Sequence, residues 1–321
     1  MKKQSNWKKI GLVIFIVFWI GIVFFGFKQV GGGSSDLTTV TIGYQKADPI
    51  DIAKTRGEFA KKMKAKGYKV VFKEFKDGSS LLQALKSGSI DYARTGDTPP
   101  VTAQANGTKL TYVAAETSKA NGSGIVVGKN SGISTLSDLK GKKIAYTKNT
   151  SSEYLLRKVL KKAGLSTSDV TMVNMDQSSA SVAFSKGKID AWVTWDPYTA
   201  QAQIKQNAKL LISGKGLSNN RDFILSSKSY AKNNAEVSKY LVKYLKNDMQ
   251  WAQTHHAKLI TMLSKSLKLS KSVVKKMVER RSYSISKMNS SITKEQQKIA
   301  DLFYEEGVIT KKIKVSDDVD N

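Results

Sequence analysis

Gly88-Ser89-Ile90-Asp91-Tyr92-Ala93-Arg94-Thr95-Gly96-Asp97 and, 99 residues further on, Gly187-Lys188-Ile189-Asp190-Ala191-Trp192-Val193-Thr194-Trp195-Asp196 share the form G-x-I-D-x3-T-x-D. The likeness continues on both sides. Ala84-Leu85 matches Ala183-Phe184 before the glycine, and proline followed by Ala103-Gln104-Ala105 or Ala200-Gln201-Ala202 comes after the aspartate. Each copy reads as a helix stopped by glycine, a short strand, a polar turn, proline, and a new helix. One supersecondary unit used twice predicts two similar α/β halves.

The flanking sequence alternates in the same way, which predicts an α/β protein with mainly parallel sheets. Strands are expected at Thr39–Tyr44, Val70–Phe75, Ile90–Ala93 and Leu110–Ala115. Helices are expected at Ile52–Lys66 and from Asp77 to Lys86. A second unit begins near Ile125. It has strands at Lys143–Tyr146, Val170–Met175 and Ile189–Thr194, and a helix at Ser152–Ala163. Beyond about residue 228 the pattern is helical, at Asn234–Gln253, Ala257–Leu267, Ser270–Arg280 and Thr293–Glu306. The acidic end Ser316–Asn321 reads as disordered.

The N-terminus stands apart. Lysines 2, 3, 8 and 9 precede Ile10–Phe27, 18 residues without a charge. As a helix that run is roughly 27 Å long, enough for a bilayer core. The lysines before it favour a body on the outer side. No Ala-x-Ala cleavage pattern closes the run, so an uncleaved transmembrane anchor is expected, and Gly31-Gly32-Gly33-Ser34-Ser35 reads as its flexible tether.

The formal net charge is +27, which suits a body that attracts anions. The lysines are spread over every expected helix and no nucleic-acid-binding module occurs, so no nucleic-acid partner is expected. With no cysteine, disulfides, thiolate metal sites, a cysteine nucleophile and a lipidated cysteine are excluded. The only histidines, His255 and His256, are adjacent in the expected helical tail, where neighbours do not share a face, and are read as surface residues. No nucleotide-binding or hydrolase motif is present, so no metal, cofactor or catalytic residue is expected.

The chemistry is expected at the strand ends. Helix starts attract anions, and open α/β sheets bind ligands beyond the carboxyl ends of their strands. Gly96, Asp97 and Thr98 form the first such turn, with glycine allowing close backbone approach. Thr150, Ser151 and Ser152 form another, where Thr150 and Glu153 have capping-box spacing. Trp195, just before Asp196, would give an aromatic wall for an apolar tail, while Trp192 alternates into the core. Gln45 ends the first strand and can donate to an anion oxygen. Glu116 ends the fourth and is a candidate for a ligand amine or for a structural ion pair.

These residues resemble a known family. Ile42-Gly43-Tyr44-Gln45-Lys46, Gly88–Asp91, Thr95-Gly96-Asp97-Thr98-Pro99-Pro100, Leu139–Ala145 and Asp190-Ala191-Trp192-Val193-Thr194-Trp195-Asp196-Pro197 occur in the order seen in aliphatic-sulfonate and taurine substrate-binding proteins of ABC importers. The resemblance spans roughly residues 39–230. Nitrate-binding and thiamine-precursor-binding proteins are relatives of that family. It implies a two-lobed, periplasmic-binding-protein-like type II fold. The lobes would be residues 36–122 with 229–321, and 123–228, after an anchor and tether at 1–35. It also implies a small anionic ligand, an alkyl sulfonate, held by hinge closure between the lobes at Gln45, Gly96, Asp97, Thr98, Thr150–Ser152, Trp195 and Asp196. The monomer would hand that ligand to an ABC permease driven by its ATPase, outside the cell membrane. The alternatives are a membrane-tethered ligand sensor or adaptor using the same lobes, or a binding protein for a related ligand such as nitrate or a thiamine precursor.

Overall fold

The computed structural model describes residues 37–319. The first sheet begins with β1 (Thr38–Tyr44), followed by α1 (Pro49–Arg56), α2 (Glu58–Lys64) and β2 (Tyr68–Glu74). Next come α3 (Gly78–Lys86), β3 (Tyr92–Gly96), α4 (Thr98–Ala105) and β4 (Leu110–Glu116). The second sheet comprises β5 (Ser123–Val127), β6 (Lys143–Tyr146), α5 (Ser151–Lys162), β7 (Thr171–Asn174), α6 (Gln177–Ser185), β8 (Ala191–Trp195), α7 (Tyr198–Lys205) and β9 (Lys209–Ser213). The chain then returns through β10 (Asp222–Ser227), α8 (Lys228–Asn233), α9 (Ala235–Thr254), α10 (His256–Leu267), α11 (Lys271–Glu279), β11 (Ile285–Ser286) and α12 (Ser290–Glu305).

The two sheets repeat one pattern. Their strand orders are β11-β4-β10-β3-β1-β2 and β7-β6-β8-β5-β9. In the first, β2, β1 and β3 run parallel and β10 runs antiparallel between β3 and β4. In the second, β7, β6 and β8 run parallel and β5 runs antiparallel between β8 and β9. The sheets are therefore mixed, where the sequence predicts mainly parallel ones. Strand β10 is fully apolar at Phe223-Ile224-Leu225, but nothing in that run tells which sheet it enters. Although the sequence groups it with the second half, it pairs in the first sheet.

Two segments, 117–122 and 214–221, carry the chain between the sheets, and they are bonded to each other. Lys119 N donates to Asn219 O at 2.8 Å, Gly214 N to Ala120 O at 3.0 Å, and Asn220 Nδ2 to Ser123 Oγ at 2.7 Å. Buried Val40, Ile42 and Ile224 of the first sheet pack under Leu241, Leu245 and Met249 of α9. On its other face Leu81, Val101 and Leu225 meet Phe303 of α12. The second sheet places Ile144 and Val193 against Leu156 of α5, and Trp192 against Phe184 and Tyr198.

The single helix expected at Ile52–Lys66 is broken at Gly57, whose φ of 78° ends α1 and starts α2. Within the acidic end, expected to be disordered, Val319 bridges to Tyr112. Asp318 receives Gln104 Nε2 at 2.7 Å and pairs with Lys228. Neither histidine lies free on the surface. His255 stacks on Trp251 at 5.2 Å, and His256 stands edge-on to Tyr283 at 6.1 Å. The expected anchor Ile10–Phe27 and its tether lie outside the described residues. Among the described residues no helix is long and apolar enough to cross a membrane.

Candidate functional site

The repeated segment builds the same turn in each sheet. Gly88 and Gly187 have φ of 73° and 63°, which end the preceding helices. Ile90 and Ile189 are buried behind them. Asp91 and Asp190 then tie each strand to its parallel neighbour, and β3 and β8 run out toward the crossover segments. There Gly96 lies opposite Asp222 of β10, and Trp195 lies opposite Ser123 of β5.

At the first turn Asp97 and Thr98 are buried. Asp97 does not cap α4 with its side chain; it accepts from Thr98 Oγ1 at 2.9 Å. Pro99 and Pro100 carry no N–H, so the amide donors at this helix start are reduced to those around Asp97 and Thr98. Burial pushes Asp97 up to about 6, with Thr98 and Lys119 opposing the rise. Apart from its chain neighbours, no heavy atom lies within 4 Å of where a Cβ on Gly96 would stand, so the strand end borders open space.

Gln45 is committed to the framework. Its Oε1 accepts from Arg94 Nη1 at 2.8 Å and its Nε2 donates to Lys76 O at 2.9 Å. Arg94 also faces Asp48 at 3.6 Å and pairs with Asp222, which pairs in turn with Lys119 of the first crossover. Burial alone would raise Asp222, but Arg94 and Lys119 hold it well below the usual carboxylate range. Burial pushes Asp48 up to about 7 despite Arg94. Glu116 pairs with Arg281, the ion-pair alternative among its two expected roles. Burial raises its carboxyl, and its Oε2 has no hydrogen-bond partner among the described residues.

At the second sheet Thr150 caps α5, accepting from Ser152 N at 3.3 Å. Glu153 does not return to Thr150 N as in a full capping box; it accepts from Asn149 N at 2.7 Å. The Thr150 and Ser152 hydroxyls are turned into their own loop, both reaching Thr147 O, at 2.7 and 3.3 Å. The Ser151 hydroxyl makes no hydrogen bond among the described residues. Trp195 is half-buried, and among the described residues it has no ring partner and no partner for its indole N–H. Asp196 accepts from Ala200 N at 3.1 Å and from Arg280 Nη2 at 2.8 Å, and burial pushes it up to about 6.

Arg94, Lys119, Arg280 and Arg281 were missed by the sequence reading. A signal existed: among 53 basic residues only six are arginine, at 56, 94, 157, 221, 280 and 281. All six are ion-paired, with Asp248, Asp222, Glu153, Glu295, Asp196 and Glu116 respectively. A lysine-rich chain that keeps arginine for forked, half-buried pairs marks those positions by residue choice alone.

The model for proteins described as NMT1/THI5 like matches residues 30–258. A protein of Escherichia coli (strain K12) named for the binding of aliphatic sulfonates is 35% identical over 277 residues, 85% of this chain and 86% of that one. The crystal structure of the periplasmic aliphatic sulphonate binding protein SsuA from Escherichia coli superposes with a TM-score of 0.83 at 33% identity, covering 88% of this chain and 92% of that one. The alkanesulfonate-binding SsuA of Xanthomonas axonopodis pv. citri, bound to MOPS, gives 0.83 and 33% over 89% of this chain and 99% of that one. The chain thus belongs to the NMT1/THI5-like family, alongside the sulfonate-binding proteins with which it shares its length and its two-sheet α/β fold.

Proposed function

We propose that this chain is the extracytoplasmic solute-binding component of an ABC importer, and that it captures a small alkyl sulfonate between its two sheet-centred halves. The observation that carries this reading is the pairing of equivalent strand-end turns, Gly96–Thr98 and Trp195–Asp196, in a chain 33% identical to two solved sulfonate-binding proteins. The amides near Asp97 and Thr98 and the free Ser151 hydroxyl are donors for sulfonate oxygens, and Trp195 is a surface for the carbon tail. Glu116 and Gln45 serve better as framework, since their side chains are already held by Arg281 and Arg94.

The two bonded crossovers act as a hinge, and a ligand that bridges both turns favours closure by the difference in its affinity for the two states. The run Ile10–Phe27 tethers the body to the membrane, beside the permease that receives the ligand. Binding occurs without turnover, and one copy suffices. Titration calorimetry of the full chain with ethanesulfonate, taurine, MOPS and nitrate tests this. Saturable heat with the sulfonates supports the reading; no heat with any of them overturns it, and heat with nitrate alone moves the ligand to the nitrate class.

A further inference from the structure

Helix α12 touches both the Asp97 turn of the first half and helix α5 of the second. The buried Gln296 donates from Nε2 to the Asp97 carbonyl and to Tyr112 Oη at 3.1 Å. Two turns further along, the ring of Phe303 meets that of Tyr154 on α5, with centroids 6.4 Å apart. Just past the helix end, Glu306 accepts from Arg157 Nη1. Tyr154 and Arg157 are one turn apart on α5, and Phe303 and Glu306 are spaced alike at the end of α12, so two pairs meet side by side.

Tyr154 comes from the second sheet's half, yet it is buried in a cluster otherwise drawn from the first, with Leu81, Val101, Ile299 and Phe303. Separating the halves would return that ring to water and break the Arg157–Glu306 pair. Arg157 is already oriented for its task. Glu153 holds Nε at 3.2 Å and Nη2 at 2.8 Å, leaving Nη1 for Glu306. Because Glu153 also accepts from Asn149 N at 2.7 Å, a continuous set of bonds runs from the turn before α5, through Glu153 and Arg157, to α12. None of these links uses the crossover segments. The Tyr154 hydroxyl makes no hydrogen bond among the described residues. Burial, then Asp97 and Glu295, keep it protonated, and so it is a free donor beside the Asp97 turn.

We infer that Tyr154 and Arg157 of α5 close on Phe303 and Glu306 at the end of α12 as a clasp that holds the two halves together over the ligand and sets its retention. This rests on the solute-binding reading above and adds α12 to the binding machinery.

The test uses the full chain, whose lack of cysteine allows clean spin labels at K161C and K298C, both exposed sites. Pulsed electron spin resonance gives the distance between α5 and α12, and calorimetry with ethanesulfonate gives Kd. Arg157→Ala is expected to lengthen or broaden the distance distribution and to weaken binding about tenfold, because one partner of a half-buried charge pair is lost. Glu306→Gln, which removes the charge across the halves and leaves the Arg157–Glu153 pair intact, is expected to give the same two changes. Unchanged distances and Kd in Arg157→Ala and Glu306→Gln would overturn the clasp. If the unaltered chain binds no sulfonate but Arg157→Ala still opens the distance, the ligand reading fails and the clasp stands.

Discussion

Asp91 and Asp190 hold the same post in the two sheets: each accepts a backbone amide of the neighbouring parallel strand at 2.7 Å, from Thr41 N and from Lys143 N. Each also returns its own amide to that residue's carbonyl, at 2.8 and 2.9 Å. The aspartate of the repeated motif therefore fixes the register of β3 on β1 and of β8 on β6. Removing the Asp91 carboxylate leaves the part-buried Thr41 amide without its partner, at a cost of about 1–3 kcal/mol, whereas water can replace Asp190 at the exposed Lys143 amide. Urea unfolding should therefore show the larger loss for Asp91→Ala and a smaller one for Asp190→Ala, with sulfonate affinity changed little; a larger loss for Asp190→Ala would contradict this.

Gly96 and Gly124 should respond oppositely to a methyl group. A Cβ on Gly96 meets open space, whereas one on Gly124 would stand 2.3 Å from Ile212 O. Gly96→Ala should keep the urea midpoint of the parent and lower sulfonate affinity about tenfold by crowding the anion's approach. Gly124→Ala should destabilise the chain by about 1–3 kcal/mol through a strand that cannot relax. Gly96→Ala with unaltered affinity would remove that turn from the site.

Trp195→Ala should discriminate among ligands by tail length. Its ring is half-buried and unpartnered, so its removal costs contact with a carbon tail rather than with the sulfonate head. Affinity for pentanesulfonate should fall about tenfold or more, from the loss of roughly 1.5 kcal/mol of apolar contact, and affinity for methanesulfonate should hold. Equal losses for both in calorimetry would place the indole elsewhere.

The buried carboxyls also set a pH dependence. Asp48 is pushed to about 7, and Asp97, Asp196 and Asp248 to about 6, burial being the first cause in each. Between about pH 4 and 7 the folded chain therefore keeps protons that the unfolded chain releases, and its stability falls as pH rises through that window. Below it the sign reverses, because Asp138, Asp176 and Asp222 are held low when folded. The urea midpoint should rise from pH 8 to pH 5 and fall again below about pH 4. A midpoint that drops between pH 8 and 5 would mean these acids are ionised at less cost than their burial implies.

What could be read in advance was local. Gly88 and Gly187, the strands behind them and the helices after them follow from turn chemistry and apolar spacing. Gly57 costs a helix about 1 kcal/mol, which does not by itself tell a tolerated glycine from a break, and the structure shows it taking a positive φ. Strand β10 was invisible as a member of the first sheet because its partners lie more than a hundred residues upstream. Sequence separation, 84 and 165 residues, likewise hid Arg280 and Arg281, whose partners Asp196 and Glu116 belong to different halves. Asp97 and Thr150 do stand at helix starts, yet their side chains bond differently. Proline and hydroxyl neighbours compete for the same few donors and acceptors there, and spacing alone does not rank the competitors.

Because β10 is wedged between β3 and β4, the order of assembly is written into the topology. The second sheet is one unbroken stretch from Ser123 to Ser213 and can complete itself as soon as that stretch is available. The first sheet has no middle until Asp222–Ser227 arrives, so its opening strands must wait, unpaired on one edge, while the whole second sheet goes by. A chain delivered from its N-terminus thus finishes last the half that it began first.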